Sequence, residues 1–158
     1  MKKENLKTLL YFIIGTELVG AASAMLSEGN FSEFYNSLQK PPFAPPGWLF
    51  PVMWAILYAL MGISAYQIFI SDDYRKHKAL WLYVSQLAVN FSWSIVFFGL
   101  KSLNGAVWVI LLLLVLIAAM IFLFGKIRKS AAWLNLPYLL WTVFAAYLTI
   151  GTAVLNAA

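Results

Sequence analysis

The sequence predicts an all-α membrane protein: a bundle of five transmembrane helices in a single domain spanning residues 1–158, with a short lid helix in its first loop. Three observations predict it. Hydrophobic residues make up 63% of the chain and charged residues only 11%. Soluble domains hold about 45–50% and about 25%, and a domain of this length has no interior large enough to hide the difference. Five stretches stay apolar over the ~20 residues that a bilayer crossing needs at ~1.5 Å rise each. The basic residues, finally, gather in alternate connections.

The first span covers residues 6–26 and is interrupted by Glu17. Met1-Lys2-Lys3 resembles the charged start of a signal peptide, and Ala22-Ser23-Ala24 mimics a cleavage site. The length of the apolar stretch and its glutamate favour a retained helix. Thr16, Gly20 and Ala24 form a small-residue stripe that suits packing within the bundle or pairing between copies.

Residues 27–46 form the one long connection. Asn30 with Glu33 reads as a capping box opening a short helix that carries Phe31, Phe34, Tyr35 and Leu38 at helical spacing. Lys40-Pro41-Pro42 ends it, because the residue before proline avoids the α region. A stiff connector, Phe43-Ala44-Pro45-Pro46-Gly47, follows. Four prolines reduce the entropy lost on ordering this segment. They favour a shaped lid over a helix lying in the headgroup zone.

The remaining spans cover 47–70, 79–99, 105–125 and 131–155, joined by short links that make antiparallel neighbours. Pro51 and Pro137 fit first-turn positions. The fourth span is nearly featureless, as a lipid-facing or wall helix would be. Lys2, Lys3, Lys7, Arg75, Lys76, Lys78, Lys126, Arg128 and Lys129 fall on one side, and Lys40 and Lys101 on the other. This predicts a cytoplasmic N-terminus and an external C-terminus. The chain is expected to be a multi-pass protein of a bacterial or archaeal cell membrane. The same scatter over short loops speaks against a nucleic-acid partner.

Aromatic residues reach 17%, with seven tryptophans. Trp48, Trp81, Trp108 and Trp133 lie near span ends and suit interface anchoring. Trp54, Trp93 and Trp141 do not. Trp54 heads a stripe with Tyr58 and Met61, Trp93 one with Gln86, Asn90 and Phe97, and Trp141 one with Tyr138, Ala145, Thr149 and Thr152. At helical rise Trp54 and Trp93 both lie ~10 Å below the external face, with Asn90 at ~14 Å. Such stripes serve packing as often as binding. Their convergence beneath the long loop favours a cavity for a flat, apolar, polar-edged ligand. Asn90 is also a natural interhelical hydrogen-bond partner.

Catalytic constellations are missing from the sequence. Without cysteine there is no disulfide or thiolate metal site, and no metal is expected. The one histidine, His77, sits among Arg75, Lys76 and Lys78 in a charged loop. This speaks against hydrolase and metalloenzyme readings and leaves only chemistry that uses tryptophan, light or a bound cofactor. Glu17 is a candidate proton relay, since an intramembrane carboxylate is functional by default. With no basic residue to pair with, it is expected neutral, bonded to Gln86 or a hydroxyl.

Three ordered stretches resemble a known family. Lys40-Pro41-Pro42-Phe43-Ala44-Pro45-Pro46-Gly47, followed by Trp54 and Tyr58, resembles the first-loop and second-helix signature of the translocator protein family, also called tryptophan-rich sensory proteins or peripheral-type benzodiazepine receptors (TspO/MBR). Gln86-Leu87-Ala88-Val89-Asn90 with Trp93 and Phe97-Phe98-Gly99 resembles its third helix. Pro137-Tyr138-Leu139-Leu140-Trp141, then Phe144-Ala145 and Leu148-Thr149, resembles its fifth. The resemblance covers Phe31 to Asn156.

It implies a five-helix bundle, usually a homodimer, that binds porphyrin, haem and related tetrapyrroles as ligands with no required cofactor. Benzodiazepine-type compounds also bind, and sterols in some members. The implied ligand-binding residues are Tyr35, Pro42, Trp54, Tyr58, Asn90, Trp93, Trp141, Ala145 and Thr149. The tryptophans matching Trp54 and Trp141 are implicated in light-dependent porphyrin breakdown in some bacterial members. A receptor or sensor is the first expectation; a light-dependent porphyrin-degrading enzyme and a porphyrin or sterol transporter are the alternatives. Five spans do not divide into the equal repeats common in transporters. Three positions depart from the pattern: Leu148 to Val154 lacks the sterol-associated tyrosine and basic residue, Phe43 stands where an indole is common, and an asparagine often found near Thr149 is absent.

Overall fold

The computed structural model describes residues 3–27 and 31–157. Their helices are α1 (Lys3–Ser27), α2 (Phe31–Ser37), α3 (Leu49–Phe69), α4 (Lys76–Ser94), α5 (Leu103–Ile127), α6 (Lys129–Leu134) and α7 (Leu136–Leu155). Five spans are long and apolar enough to cross a bilayer: Asn5–Leu26, Leu49–Phe69, Lys76–Gly99, Leu103–Ile127 and Lys129–Leu155. The chain is an all-α, multi-pass membrane protein. The expected cap at Asn30 lies outside the described residues.

The helices close a ring. α1 packs on α3, α3 on α6 and α7, α7 on α5, α5 on α4, and α4 returns to α1. Although a short link joins α3 to α4, each makes its main contact elsewhere, α3 with α1 and α4 with α5. Glycine explains the first choice. A Cβ at Gly62 would meet the backbone of Ile13 at 2.7 Å, so α1 and α3 touch backbone to backbone.

α5 is more than a wall. It buries Ala106, Ile110, Leu113, Ile117, Met120 and Phe124, alternating steps of four and three, and this seam holds α4, α6 and α7. Its opposite face leaves Leu112, Val115 and Phe122 uncovered by protein, as a lipid-facing surface requires.

The expected fifth span is two helices broken at Asn135. Buried Asn135 donates from Nδ2 to Ser64 Oγ (2.5 Å) and to the Ala131 carbonyl (2.9 Å), and Ser64 Oγ donates to that same carbonyl (2.8 Å). The Asn135 amide donor, the Ser64 hydroxyl and the Ala131 carbonyl are thereby paired, while Asn135 Oδ1 has no partner among the described residues. Pro137 occupies the first turn of α7, where its missing N–H costs nothing.

The basic end is knit together. Arg75 pairs with Asp73 at 2.7 Å and donates from Nη2 to the Lys126 carbonyl (2.8 Å), so two basic turns lie side by side. Phe12 stacks near Phe69 (5.3 Å), bringing the start of α1 to that end as well. The Arg75 guanidinium holds the Asp73 carboxyl down from the usual 3.8 to about 2.

Candidate functional site

The opposite end is covered by α2 and the proline-rich connector. Phe34 meets Phe97 edge-on at 6.2 Å and Tyr35 meets Phe50 at 5.8 Å, so the apolar side of α2 rests on the bundle. The helix ends at Ser37, three residues before Lys40. The connector is then clamped to α7. Asn156 accepts from the Gln39 amide (3.1 Å) and donates to the Gln39 carbonyl (2.8 Å). Tyr147 Oη donates to the Pro42 carbonyl (3.0 Å), and Tyr35 Oη to that of Pro45 (3.1 Å). Burial raises the Tyr35 phenol above its usual 10.0.

The Ala44 amide donates to the Pro41 carbonyl (3.3 Å), and Phe43 has φ +65°. This is a type II turn with proline at its first corner, a position normally followed by glycine. Phe43 is 89% exposed, so its side chain stands outside the bundle. Pro41 packs instead against Gly151, where a Cβ would come within 2.8 Å of its ring. The lid reading of the first loop fits this seating.

Beneath the lid, a hydrogen-bond chain crosses three helices. Tyr58 Oη (α3) donates to Asn90 Oδ1 (α4) at 2.9 Å, and Asn90 Nδ2 donates to Tyr138 Oη (α7) at 2.8 Å. Tyr138 Oη donates to Gln86 Oε1 at 2.7 Å. Gln86 Nε2 faces Met61 Sδ at 3.8 Å. Gln86 is thus committed to Tyr138 and Met61, so of the two partners expected for Glu17, Gln86 or a hydroxyl, Gln86 is taken. A second link joins the Thr16 and Tyr83 hydroxyls.

α4 ends in a π-helical turn, Ile95–Gly99, closed by the Leu100 amide to the Ile95 carbonyl at 2.8 Å. Its wider turn lets the consecutive rings of Phe97 and Phe98 both point inward, where a regular helix would offer one. Trp93 stacks on Phe97 (5.2 Å) and meets Phe98 edge-on (5.9 Å).

Two cavities follow. The larger, about 380 Å³, lies between α1, α3 and the end of α4, lined by Glu17, Gly20, Ser23, Phe50, Trp54, Tyr58, Trp93 and Phe98 among others. The smaller, about 30 Å³, lies under the lid against α7, where Tyr35, Lys40, Pro41, Ala145, Thr149 and Thr152 meet. Phe50, Trp93 and Phe98 line both and form the partition between them. Trp93 Nε1 and Trp141 Nε1 are buried with no hydrogen-bond partner among the described residues. Such donors are rare and call for a cause.

The residues singled out in the sequence therefore divide. Trp54, Tyr58 and Trp93 line the larger cavity; Tyr35, Trp93, Ala145 and Thr149 line the smaller. Asn90 stands behind Tyr58 with its amide spent on two phenols. Trp141 lines neither cavity, because Phe50 covers it at 6.0 Å. Pro42 lines neither, because the turn puts it at the corner and sends Pro41 inward. Of the missed residues, Phe50 was legible: it precedes Trp54 and Tyr58 at steps of four. Phe98 was not, since only the π turn directs it inward. Trp48, Trp81, Trp108 and Trp133, 68–75% uncovered, point away from the bundle.

The comparisons with known proteins agree with this architecture. The TspO/MBR family profile matches residues 12–155. The "Tryptophan-rich protein TspO" of Archaeoglobus fulgidus is 33% identical over 154 residues, 97% of this chain and 99% of that protein. The "Tryptophan-rich sensory protein" of Cereibacter sphaeroides is 36% identical over 124 residues, 78% of this chain and 77% of its own. The "Translocator protein" of Bos taurus is 35% identical over 140 residues, 87% of this chain and 83% of its own. A match that runs from the middle of α1 to the end of α7 leaves one conclusion: the chain belongs to the TspO/MBR family.

Proposed function

We propose that this protein is a membrane receptor or sensor for tetrapyrroles, porphyrin or haem, whose site also takes benzodiazepine-type ligands. The observation that carries the reading is the cavity of about 380 Å³ walled by Trp54, Tyr58, Trp93, Phe50 and Phe98. Its size falls in the range of about 300–1,000 Å³ typical of small-molecule sites. Indole and phenol faces suit offset stacking on a large ring. The unpaired Nε1 donor of Trp93, which lines the cavity, would supply a polar contact for an acceptor on the ligand rim. Trp141, Ala145 and Thr149 join the site when the Phe50 ring turns aside. Pro42 and Asn90 act at one remove, through the lid turn and through Tyr58. The tetrapyrrole is ligand, and no further cofactor is needed. The protein works as a homodimer with its N-terminus cytoplasmic and its C-terminus external, in line with the clustering of basic residues at the Arg75 end.

The test is a titration of the detergent-solubilised protein with protoporphyrin in the dark. Tryptophan fluorescence should quench saturably, and Trp54→Phe or Trp141→Phe should weaken the effect. Quenching that rises without saturation, as in empty micelles, would rule out a specific site.

A second reading, light-dependent breakdown of bound porphyrin with dioxygen as oxidant, is favoured by the stack of Trp54 on Tyr58 at 5.4 Å. Trp54 and Trp141 would be its working residues. Illuminated wild-type protein should then consume porphyrin faster than Trp54→Phe with porphyrin equally bound. Equal rates would leave only receptor function.

A further inference from the structure

The larger cavity holds one feature that stacking does not use. Glu17 is the single acidic residue within the five spans, and its half-buried side chain lies on the cavity wall. No lysine, arginine or histidine lines that cavity among the described residues. The one ion pair among them, Arg75 with Asp73, lies outside the spans in the turn between α3 and α4. The expected amide partner, Gln86, is held by Tyr138. The carboxyl therefore shares a largely apolar space with the rings of Trp54, Tyr58, Trp93 and Phe50.

Each of these groups attracts the same thing. A carboxylate away from water gains most from a counter-charge brought to it. Aromatic faces attract cations through their quadrupoles, tryptophan most strongly. An acidic substituent placed at the same spot finds no counter-charge, because the cavity wall carries only a second carboxyl. We infer that Glu17 makes this cavity selective for ligands with a positively charged or N–H-bearing aromatic edge, aromatic organic cations among them, held with that edge toward α1. The inference rests on the ligand-binding reading of the cavity and adds its charge preference. For a tetrapyrrole it fixes the pose: acidic substituents turn away from α1 toward the lid, where Lys40 lines the smaller cavity.

The experiment compares acridine with N-methylacridinium, which share one ring frame and differ by a methyl group and a charge, at a pH where acridine is neutral. Full-length protein in neutral detergent is titrated with each, following saturable tryptophan quenching in the dark. The wild type should bind the cation about tenfold more tightly than acridine. Glu17→Gln should lose the preference, the two probes then binding within about twofold of each other, and Glu17→Asp should keep most of it. A wild type that binds both equally, or a Glu17→Gln variant that keeps the preference, overturns the inference while leaving the cavity reading intact. If neither probe saturates on the wild type, both fall. Should Glu17→Gln lose both probes through misfolding, the ratio in Glu17→Asp decides: retained preference supports the inference and equal binding overturns it.

Discussion

Gly20 lies against the ring of Tyr58, where a Cβ on α1 would sit 2.1 Å from Cε2. That contact joins the helix the family signature leaves generic to the side chain that starts the buried hydrogen-bond chain. Gly20→Ala must push Tyr58 away from Asn90 or push α1 away from α3. Overpacking of this kind costs about 1–3 kcal/mol. Thermal unfolding in detergent should show a lowered midpoint, and porphyrin affinity should fall with it. An unchanged midpoint would mean that α1 sits further from α3 than the Gly20–Tyr58 contact requires.

Tyr138→Phe removes one hydroxyl that serves two amides. Asn90 Nδ2 loses its acceptor and Gln86 Oε1 loses its donor. Buried polar groups left unpaired in a membrane bundle cost about 1–2 kcal/mol. The variant should unfold at lower temperature. A double variant, Tyr138→Phe with Gln86→Leu, should recover part of the loss, because one stranded acceptor is removed. Additive losses would show that the two groups do not interact.

Phe50→Ala removes one of the three side chains that form the partition between the cavities. Truncating a phenylalanine costs about 3–5 kcal/mol when it is fully buried; Phe50 is half-buried, so its loss should fall below that range. Porphyrin should nevertheless associate faster, and Trp141 should become quenchable by it. Stopped-flow fluorescence of Phe50→Ala beside Phe50→Ala/Trp141→Phe reads both effects. If the single variant associates no faster, Phe50 is not what restricts entry.

Asn156→Ala frees both backbone groups of Gln39 from α7. The lid keeps its contacts through Pro41, Tyr147 and Tyr35. Hydrogen exchange at the Gln39 amide should quicken several-fold while α3 and α5 amides stay protected, since each bond is worth about 1 kcal/mol. Exchange that quickens throughout would indicate a role for Asn156 in the whole bundle.

Asp73 titrates at about 2 in the folded protein against a usual 3.8. The unfolded chain therefore binds this proton first. The stabilisation it gives is complete above about pH 4 and is lost as the pH falls toward 2. Lying in a surface turn and only partly covered, the pair should matter little overall and less in salt. Carboxyl NMR should find the low midpoint in the wild type and a higher one in Arg75→Gln, still held somewhat down by the backbone N–H at position 75.

Much of the site was readable before any coordinates. Trp54 with Tyr58, and Trp93 with Phe97, are set by helical period, which places residues three or four apart on one face whatever lies opposite. The outward direction of Trp48, Trp81, Trp108 and Trp133 followed from their places at span ends. Phe98 escaped that logic because a π turn changes the period locally. Trp141 and Pro42 escaped it because their access depends on a neighbour, Phe50 for one and the turn at Phe43 for the other.

By itself the sequence determined that lipid is the solvent, that the chain crosses it five times, and that a proline-stiffened loop closes one end. Those properties follow from hydropathy, period and backbone restriction, all local to a segment. Which helix meets which, that the cavity divides at Phe50, and that Glu17 rather than Asn90 stands on its wall were decided by tertiary structure. They depend on contacts between segments far apart in the chain, such as Gly20 on Tyr58 and Gly62 on Ile13, where close approach selects one packing among several that the same apolar faces would allow.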